Sequence, residues 1–298
     1  MELHILGTSG MVPTKERNVQ GLALVYKGEV LLFDCGEGTQ RQMNIAGLNR
    51  TKVRKILISH WHGDHVAGLI GLLQTIGNSD NPQPVSLWGP PGTKKHMDHL
   101  VRSVIWDVKV DLAVHEIRPR CVSVFFENED YALSSARLDH SAPCLGFRFE
   151  EKAKRRMLPE KLKKAGVRGR LIGELQRGKS VKIGGKDVHP DDVSLVKKGR
   201  SFALVADTRL CQSAVDLAGG ADVLVCESSF DSSMQDKADE RKHLTVRDAC
   251  QIAQMSGVKR LVLTHFSQRY KSLKALEEEA KTLFPNVAMA HDFMVVRF

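Results

Sequence analysis

The sequence predicts an α/β protein in which two mixed β-sheets stack face to face with helices on their outer sides. Three observations carry that expectation. Short β-branched runs dominate the first third, strand-like runs return in the middle after two helical segments, and the last third alternates apolar strands with helices. The runs near each end are almost continuously apolar, as strands covered on both faces should be.

In chain order, "LHIL", "LALVY", "VLLFD" and "KILIS" read as strands. "HVAGLIGLLQTIG" and "GTKKHMDHLVRSV" have helical length and spacing. Strands follow at "CVSVFF", "YALSSARL" and "CLGFRF". The remainder runs "SFALVAD", helix, "DVLVCE", a helix from Val246, "RLVLTH", a helix from Leu273, and "MVVRF". There is no strong internal repeat and no low-complexity tract.

A chain of 298 residues, 42% of them hydrophobic, can bury a sizeable core as one large domain or two small ones. Its net charge of +9 points to a polyanionic partner, most often nucleic acid or an anionic membrane. No run approaches the roughly 18 apolar residues of a membrane span. The start, "MELHILGTSG", lacks the basic-then-apolar pattern of a signal peptide. The six cysteines are scattered, with no Cys-x-x-Cys pair, which fits reduced thiols in a cytoplasm.

The charge is unevenly spread. Residues 151–200 hold sixteen of the 44 Lys and Arg and six of the 35 Asp and Glu, a net +10; elsewhere 28 basic residues face 29 acidic ones, a net −1. A solvated loop is the simpler account of that segment. The sharper one is a mobile basic arm that grips a polyanion.

The chemistry concentrates at "ISHWHGDH", residues 58–65. If the chain stays extended after a strand ending at Ser59, His60 and His62 point to one side, while Asp64 and His65 fall at the start of the next helix. One loop then serves two metal ions, His60 and His62 on one, Asp64 and His65 on the other. Imidazole and carboxylate suit zinc. Four ligands cannot fill two tetrahedral sites, so further donors are expected at strand ends. "ALSSARLDH" ends in His140, "SFALVAD" in Asp207 and "RLVLTH" in His265. A carboxylate at Asp207 has two oxygens with which to bridge two ions. His4, His96, His99, His115, His189 and His291 lack this context and read as ordinary histidines.

"HWHGDH" followed by His140, Asp207 and His265 resembles the metallo-β-lactamase superfamily. The resemblance implies a single domain over residues 1–298, a four-layer αββα sandwich with the metals along one edge. "LFDCGEG" also matches, and the superfamily's aspartate there is Asp34, implied to orient ligating histidines. The superfamily serves lactams, thioesters, lactones, sulfates and phosphodiesters, so fold alone does not choose a substrate. Other stretches do. "PTKERN" resembles the Pro-x-Lys-x-Arg-Asn loop of the ribonuclease Z family, the endonucleases that trim tRNA 3′ ends. "ADTR", "LTHFSQRY", and "CESSF" followed by "KHLT" resemble further motifs of that family and single out Glu227 and His243.

The family resemblance implies two zinc ions per chain, precursor tRNA as substrate and a cytoplasmic homodimer. It also implies a protruding, flexible basic arm over residues 151–183. "GELQRGKSV" resembles the arm's exit, whereas its tip, "AGVRGRLIG", has no proline where a Gly-Pro-rich stretch is expected. Two metals about 3.5–4 Å apart would activate water for in-line attack on phosphorus, leaving a 3′-hydroxyl and a 5′-phosphate. Asp64 would orient the nucleophile or accept its proton. His243 would protonate the leaving oxygen, with Glu227 holding it. Lys15, Arg17, Asn18 and Arg269, with Lys163, Lys164, Arg168 and Arg170 on the arm, are the candidate RNA contacts. Two rival readings have their own signatures. A sulfatase, lactonase or thioesterase on the same fold needs no arm carrying +10, and a non-catalytic RNA-binding protein needs no intact ligand set.

Overall fold

The computed structural model describes residues 1–105 and 109–298. It divides into two compact units. One comprises Met1–Phe126, Leu133–Phe149 and Ser201–Phe298, the other Glu127–Ala132 and Glu150–Arg200.

The first unit is built on two seven-stranded sheets. The first runs in the order Val295–Arg297, Glu2–Gly7, Gly21–Tyr26, Glu29–Phe33, Val53–Leu57, Val85–Gly89, Leu112–Glu116. The second runs Val287–Met289, Arg260–Thr264, Val223–Glu227, Ser201–Val205, Cys144–Glu151, Tyr131–Leu138, Ser123–Glu127. Each sheet carries a parallel block, from Glu29–Phe33 to Leu112–Glu116 in the first and from Ser201–Val205 to Val287–Met289 in the second. Parallel strands need crossovers, and the helices that make them cover the outer faces. Between the sheets Phe33 meets Phe202 and Phe147 edge-on, at ring-centroid distances of 5.1 and 6.1 Å. Behind the first sheet Met43, Leu72, Leu73 and Met97 close a second apolar layer. Behind the second sheet Ala214, Ala249, Ile252 and Leu276 do the same. The result is the expected four-layer αββα sandwich.

Three local outcomes differ from the periodicity. The strand before the histidine cluster is Val53–Leu57, which ends two residues before the expected Ser59. The segment read as one helix is two, Gly63–Val66 and Leu69–Gly77. The break lies at Gly68, whose N–H donates to the Cys35 carbonyl (2.9 Å) and where a Cβ would sit 2.2 Å from the Gly36 carbonyl oxygen. Such backbone contact requires glycine and is invisible to hydrophobic spacing. Three strands of these sheets go beyond the sequence reading: Val85–Gly89 and Leu112–Glu116 extend the parallel block of the first sheet, and Val287–Met289 that of the second.

The second unit is folded rather than an irregular loop. Lys154–Met157 pairs antiparallel with Ser194–Lys197. The helices Pro159–Lys164 and Arg170–Gln176 and the hairpin Val181–Ile183/Lys186–Val188 lie between them in sequence. The hairpin turns at Gly184 and Gly185, whose φ of 56° and 81° suit the tight turns that need left-handed residues. Leu162, Val167, Leu175, Val181 and Val193 form a core of its own.

Candidate metal centre

The ends of the parallel strands deliver the donors. Asp34 follows Glu29–Phe33, His60 follows Val53–Leu57, Asp207 follows Ser201–Val205, Glu227 ends its strand, and His265 follows Arg260–Thr264. The carboxyl ends of parallel strands are where open α/β sheets place their ligands. His62 caps the helix Gly63–Val66, so Asp64 and His65 fall in that helix's first turn. Asp34 and His265 both have left-handed backbones, with φ of 57° and 59°. Non-glycine residues there cost about 1–3 kcal/mol, a strain characteristic of functional positions.

Four imidazoles are anchored by Nδ1–H. His65 donates to Asp34 Oδ2 (2.8 Å). Asp34 also accepts from the Ser59 N–H (2.7 Å) and hydroxyl (2.8 Å). With its proton on Asp34, the Ser59 oxygen accepts from His60 Nδ1–H at 3.0 Å. The Lys242 carbonyl accepts from His140 at 3.0 Å. Ser229 gives its proton to Glu227 (2.7 Å), and its oxygen accepts from His265 at 3.0 Å. Fixing Nδ1 in this way sets the tautomer and leaves each Nε2 as a lone-pair donor. His62 differs and turns Nδ1 inward, 2.9 Å from His60 Nε2 and 3.4 Å from His140 Nε2.

Asp207 stands at the middle of these nitrogens. Its Oδ1 lies 3.5 Å from His65 Nε2 and 3.4 Å from His265 Nε2, while its Oδ2 lies 3.7 Å from His60 Nε2 and 3.9 Å from His140 Nε2. Asp64 Oδ2 is 3.5 Å from both His65 and His265, and the Met11 N–H holds it from behind at 2.7 Å. Close-set donor groups therefore form at His60, His62, His140 and Asp207 and at Asp64, His65 and His265; Asp207, His243 and His265 make a third.

The residues fit a metal. His65 Nε2, Asp207 Oδ1 and His265 Nε2 are buried without a hydrogen-bond partner. Each such orphan costs about 1–3 kcal/mol unless something satisfies it. Ligand bonds of about 2.1 Å in a tetrahedron put neighbouring donors about 3.4 Å apart, close to the separations here. Around His65 and Asp64 the field favours positive charge as well. Burial pulls His65 down, but the charges of Asp207 and Asp34 raise it well above the ordinary imidazole range. Burial would raise Asp64, yet the neighbouring His265 and His65 imidazoles hold it far below the usual carboxylate value. The fold and this donor set support a metal cofactor.

His243 sits beside this set. Its Nδ1 is 3.0 Å from Glu227 Oε1, and Glu227, fully buried, also accepts the Thr208 N–H (2.8 Å). Burial lowers the imidazole, but the Glu227 charge and hydrogen bond, with Asp207, lift it to about 9. A cleft of about 720 Å³ opens onto the centre, lined by Met11, Asp64, His243 and Arg269 among others.

The sequence-derived RNA contacts take several positions. Arg269 is exposed at the cleft, its guanidinium 5.0 Å over the Phe230 ring. Lys15 is exposed. Arg17 and Asn18 are committed to the scaffold: Arg17 donates to the Ser267 and Tyr270 carbonyls (3.3 and 3.0 Å), Asn18 to the Glu37 carbonyl (2.9 Å). In the second unit Lys163, Lys164, Arg168 and Arg170 are exposed around the loop between its helices. Sequence reading missed Ser59, Ser229, the Met11 amide and the Lys242 carbonyl. It also missed two cations on the cleft wall, Lys237 and Arg241.

Residues 1–150 match, and belong to, the family described as Anti-Pycsar protein Apyc1. That half includes His60, His62, Asp64, His65 and His140 but not Asp207, Glu227, His243 or His265. A full-length relative covers them all: ribonuclease Z of Methanothermobacter thermautotrophicus is 41% identical over 298 residues, 99% of this chain and 96% of the relative. The chain belongs to the ribonuclease Z family. The crystal structure of human tRNase Z, short form, is similar at 29% identity and a TM-score of 0.74, covering 100% of this chain and 99% of that one. The metallo-β-lactamase fold protein YhfI from Bacillus subtilis has a TM-score of 0.71 at 17% identity, over 99% of each chain. At that identity the likeness speaks for the fold alone. As a member of the ribonuclease Z family the chain is an endoribonuclease, and no helix among the described residues is long and apolar enough to cross a membrane.

Proposed function

We propose that the protein is a zinc-dependent endoribonuclease that removes the 3′ trailer of precursor tRNA, leaving a 3′-hydroxyl on the tRNA and a 5′-phosphate on the trailer. One observation carries the reading. Asp207 turns one oxygen to His65 and His265 and the other to His60 and His140, an arrangement suited to two ions sharing a carboxylate. His60, His62 and His140 would hold one ion, and Asp64, His65 and His265 the other. When bound, two zinc ions would supply a water acidic enough to act at neutral pH, together with charge neutralisation at a phosphoryl group.

The chain's own residues do the rest. Asp64, fixed by the Met11 amide, orients the attacking water or accepts its proton. Glu227 engages His243 at Nδ1, which leaves Nε2 as the nitrogen able to donate toward the leaving 3′-oxygen. Asp34 keeps His65 in its tautomer. Lys15 and Arg269 meet phosphates, and Arg17 and Asn18 shape the loop that presents Lys15. The exposed cations of the second unit grip the tRNA body through its backbone.

The six free cysteines fit the reducing cytoplasm that this substrate implies. The family resemblance supports a homodimer, and sedimentation showing a fully active monomer would remove that part of the reading. The decisive comparison for substrate class assays metal-loaded protein on precursor tRNA beside small esters, lactones and sulfates. The reading expects turnover of the RNA and little of the others, and efficient ester or sulfate hydrolysis with intact RNA would sink it.

A further inference from the structure

We propose that Lys237 and Arg241 bind phosphates of the RNA strand on the 5′ side of the cleaved bond, so that they hold the tRNA rather than the trailer. The inference rests on the proposed cleavage chemistry and adds the direction in which the strand lies across the cleft.

Lys237 and Arg241 lie on the helix Gln235–Arg241, four residues apart and so on one face. Both are exposed, and both line the cleft with His243 and Asp64. Lys237 has no ion-pair partner among the described residues, and Arg241 reaches only its exposed neighbour Glu240, at 3.6 Å. An exposed pair of that kind is weak and easily exchanged for a phosphate.

The same turn holds His243. Lys242 closes the helix in a left-handed conformation (φ 54°), and the His243 N–H donates to the carbonyl of the buried Ala238 at 2.9 Å. The two cations and the imidazole are therefore parts of one fixed piece of backbone.

The direction follows from the products. When water attacks, its oxygen bonds to phosphorus, the bond from phosphorus to the 3′-oxygen breaks, and that oxygen takes a proton. The phosphate leaves on the trailer, so the protonated oxygen belongs to the last nucleotide of the tRNA. A group that protonates it must stand on the tRNA side, and His243 is that group in the proposed mechanism. Cations carried by the same turn then face the upstream phosphates. Arg241 offers a forked donor and Lys237 a point charge, so the pair can follow a backbone without reading bases.

The test measures binding of metal-loaded protein to precursor tRNA and to its trailer-free product, which ends in a 3′-hydroxyl, over a range of salt. The variant is Lys237→Gln with Arg241→Gln. A control, Lys274→Gln with Lys281→Gln, removes equal charge from the helix Lys274–Leu283, which does not line the cleft. The cleft variant is expected to weaken both RNAs by about tenfold and to flatten the slope of log affinity against log salt by about 1.4–2. The control is expected to stay within about twofold at about 0.15 M salt, where distant exposed charges are screened. Loss on the precursor alone would place the cations on the trailer and overturn the inference. So would equal losses in cleft variant and control, or no loss in either. A wild-type protein that leaves precursor tRNA intact would instead refute the cleavage reading on which the inference stands.

Discussion

At Asp207 one carboxylate faces five imidazoles, with His65 and His265 on Oδ1 and His60, His140 and His243 on Oδ2. Asp207→Ala should therefore strip more metal than the loss of any single histidine, because its two oxygens face the nitrogens of both proposed ion sites. Elemental analysis checks this: about two ions per chain are expected in the wild type and clearly fewer than one in the variant. A variant that retained both ions would refute the bridging role. His243→Ala should keep metal and RNA binding while turnover falls about 10²–10⁴-fold, the usual worth of a general acid. Undiminished turnover would show that the proton comes from elsewhere. The donors themselves were legible because histidine and aspartate at strand ends are costly to place by chance. Their supports were not. Ser59 and Ser229 are common residues in unremarkable contexts, and the Met11 amide and Lys242 carbonyl are backbone groups with no sequence signature.

Among elements, the connection from the strand Val53–Leu57 to the helix Leu69–Gly77 controls the geometry of the histidine loop. The loop is stitched to residues 35–36, since the Cys35 N–H donates to the His65 carbonyl (2.7 Å) and the Gly68 N–H to the Cys35 carbonyl (2.9 Å). Gly68→Ala would drive a Cβ into the Gly36 carbonyl, 2.2 Å away. The cost should reach about 1–3 kcal/mol, as for other overpacked sites, and metal affinity should fall because His65 and Asp64 shift with the backbone. Denaturant melts read alongside metal titrations would detect it; unchanged values in both would mean the contact relaxes at no cost. Periodicity located the strands and helices well and missed this break, because it records which side chains are apolar and not where two backbones touch. It also passed over Val85–Gly89 and Leu112–Glu116, where small, polar and charged residues interrupt the apolar run.

For the molecule as a whole, residues 151–200, which make up most of the second unit, carry a net +10 while the rest of the chain sums to −1. That charge was legible from composition, whereas the unit's own core was not. Leu162, Val167, Leu175, Val181 and Val193 are too widely spaced among cations to stand out. The core also changes how the unit should be tested, since deleting residues 151–183 would remove four of those five side chains. Charge reversal is cleaner. Lys161, Lys163, Lys164, Arg168 and Arg170 are exposed and form no ion pair among the described residues, unlike Lys154 with Asp130 and Arg155 with Asp191. Reversing all five should weaken precursor-tRNA binding and flatten its salt dependence by about 0.7–0.9 per lost phosphate contact, with metal content unchanged. Unaltered binding would reduce the unit to a solvated surface.

In the proposed function one metal-bearing centre cuts precursor tRNA once, on the 3′ side. The most direct measurement incubates zinc-loaded protein with two precursor tRNAs, one labelled at its 5′ end and one in its trailer, and maps the product ends. A single internal cut is predicted, giving a tRNA that ends in a 3′-hydroxyl and an intact trailer that begins with a 5′-phosphate. A ladder shortened one nucleotide at a time, a trailer beginning with a 5′-hydroxyl, or uncut RNA at full metal loading would contradict it.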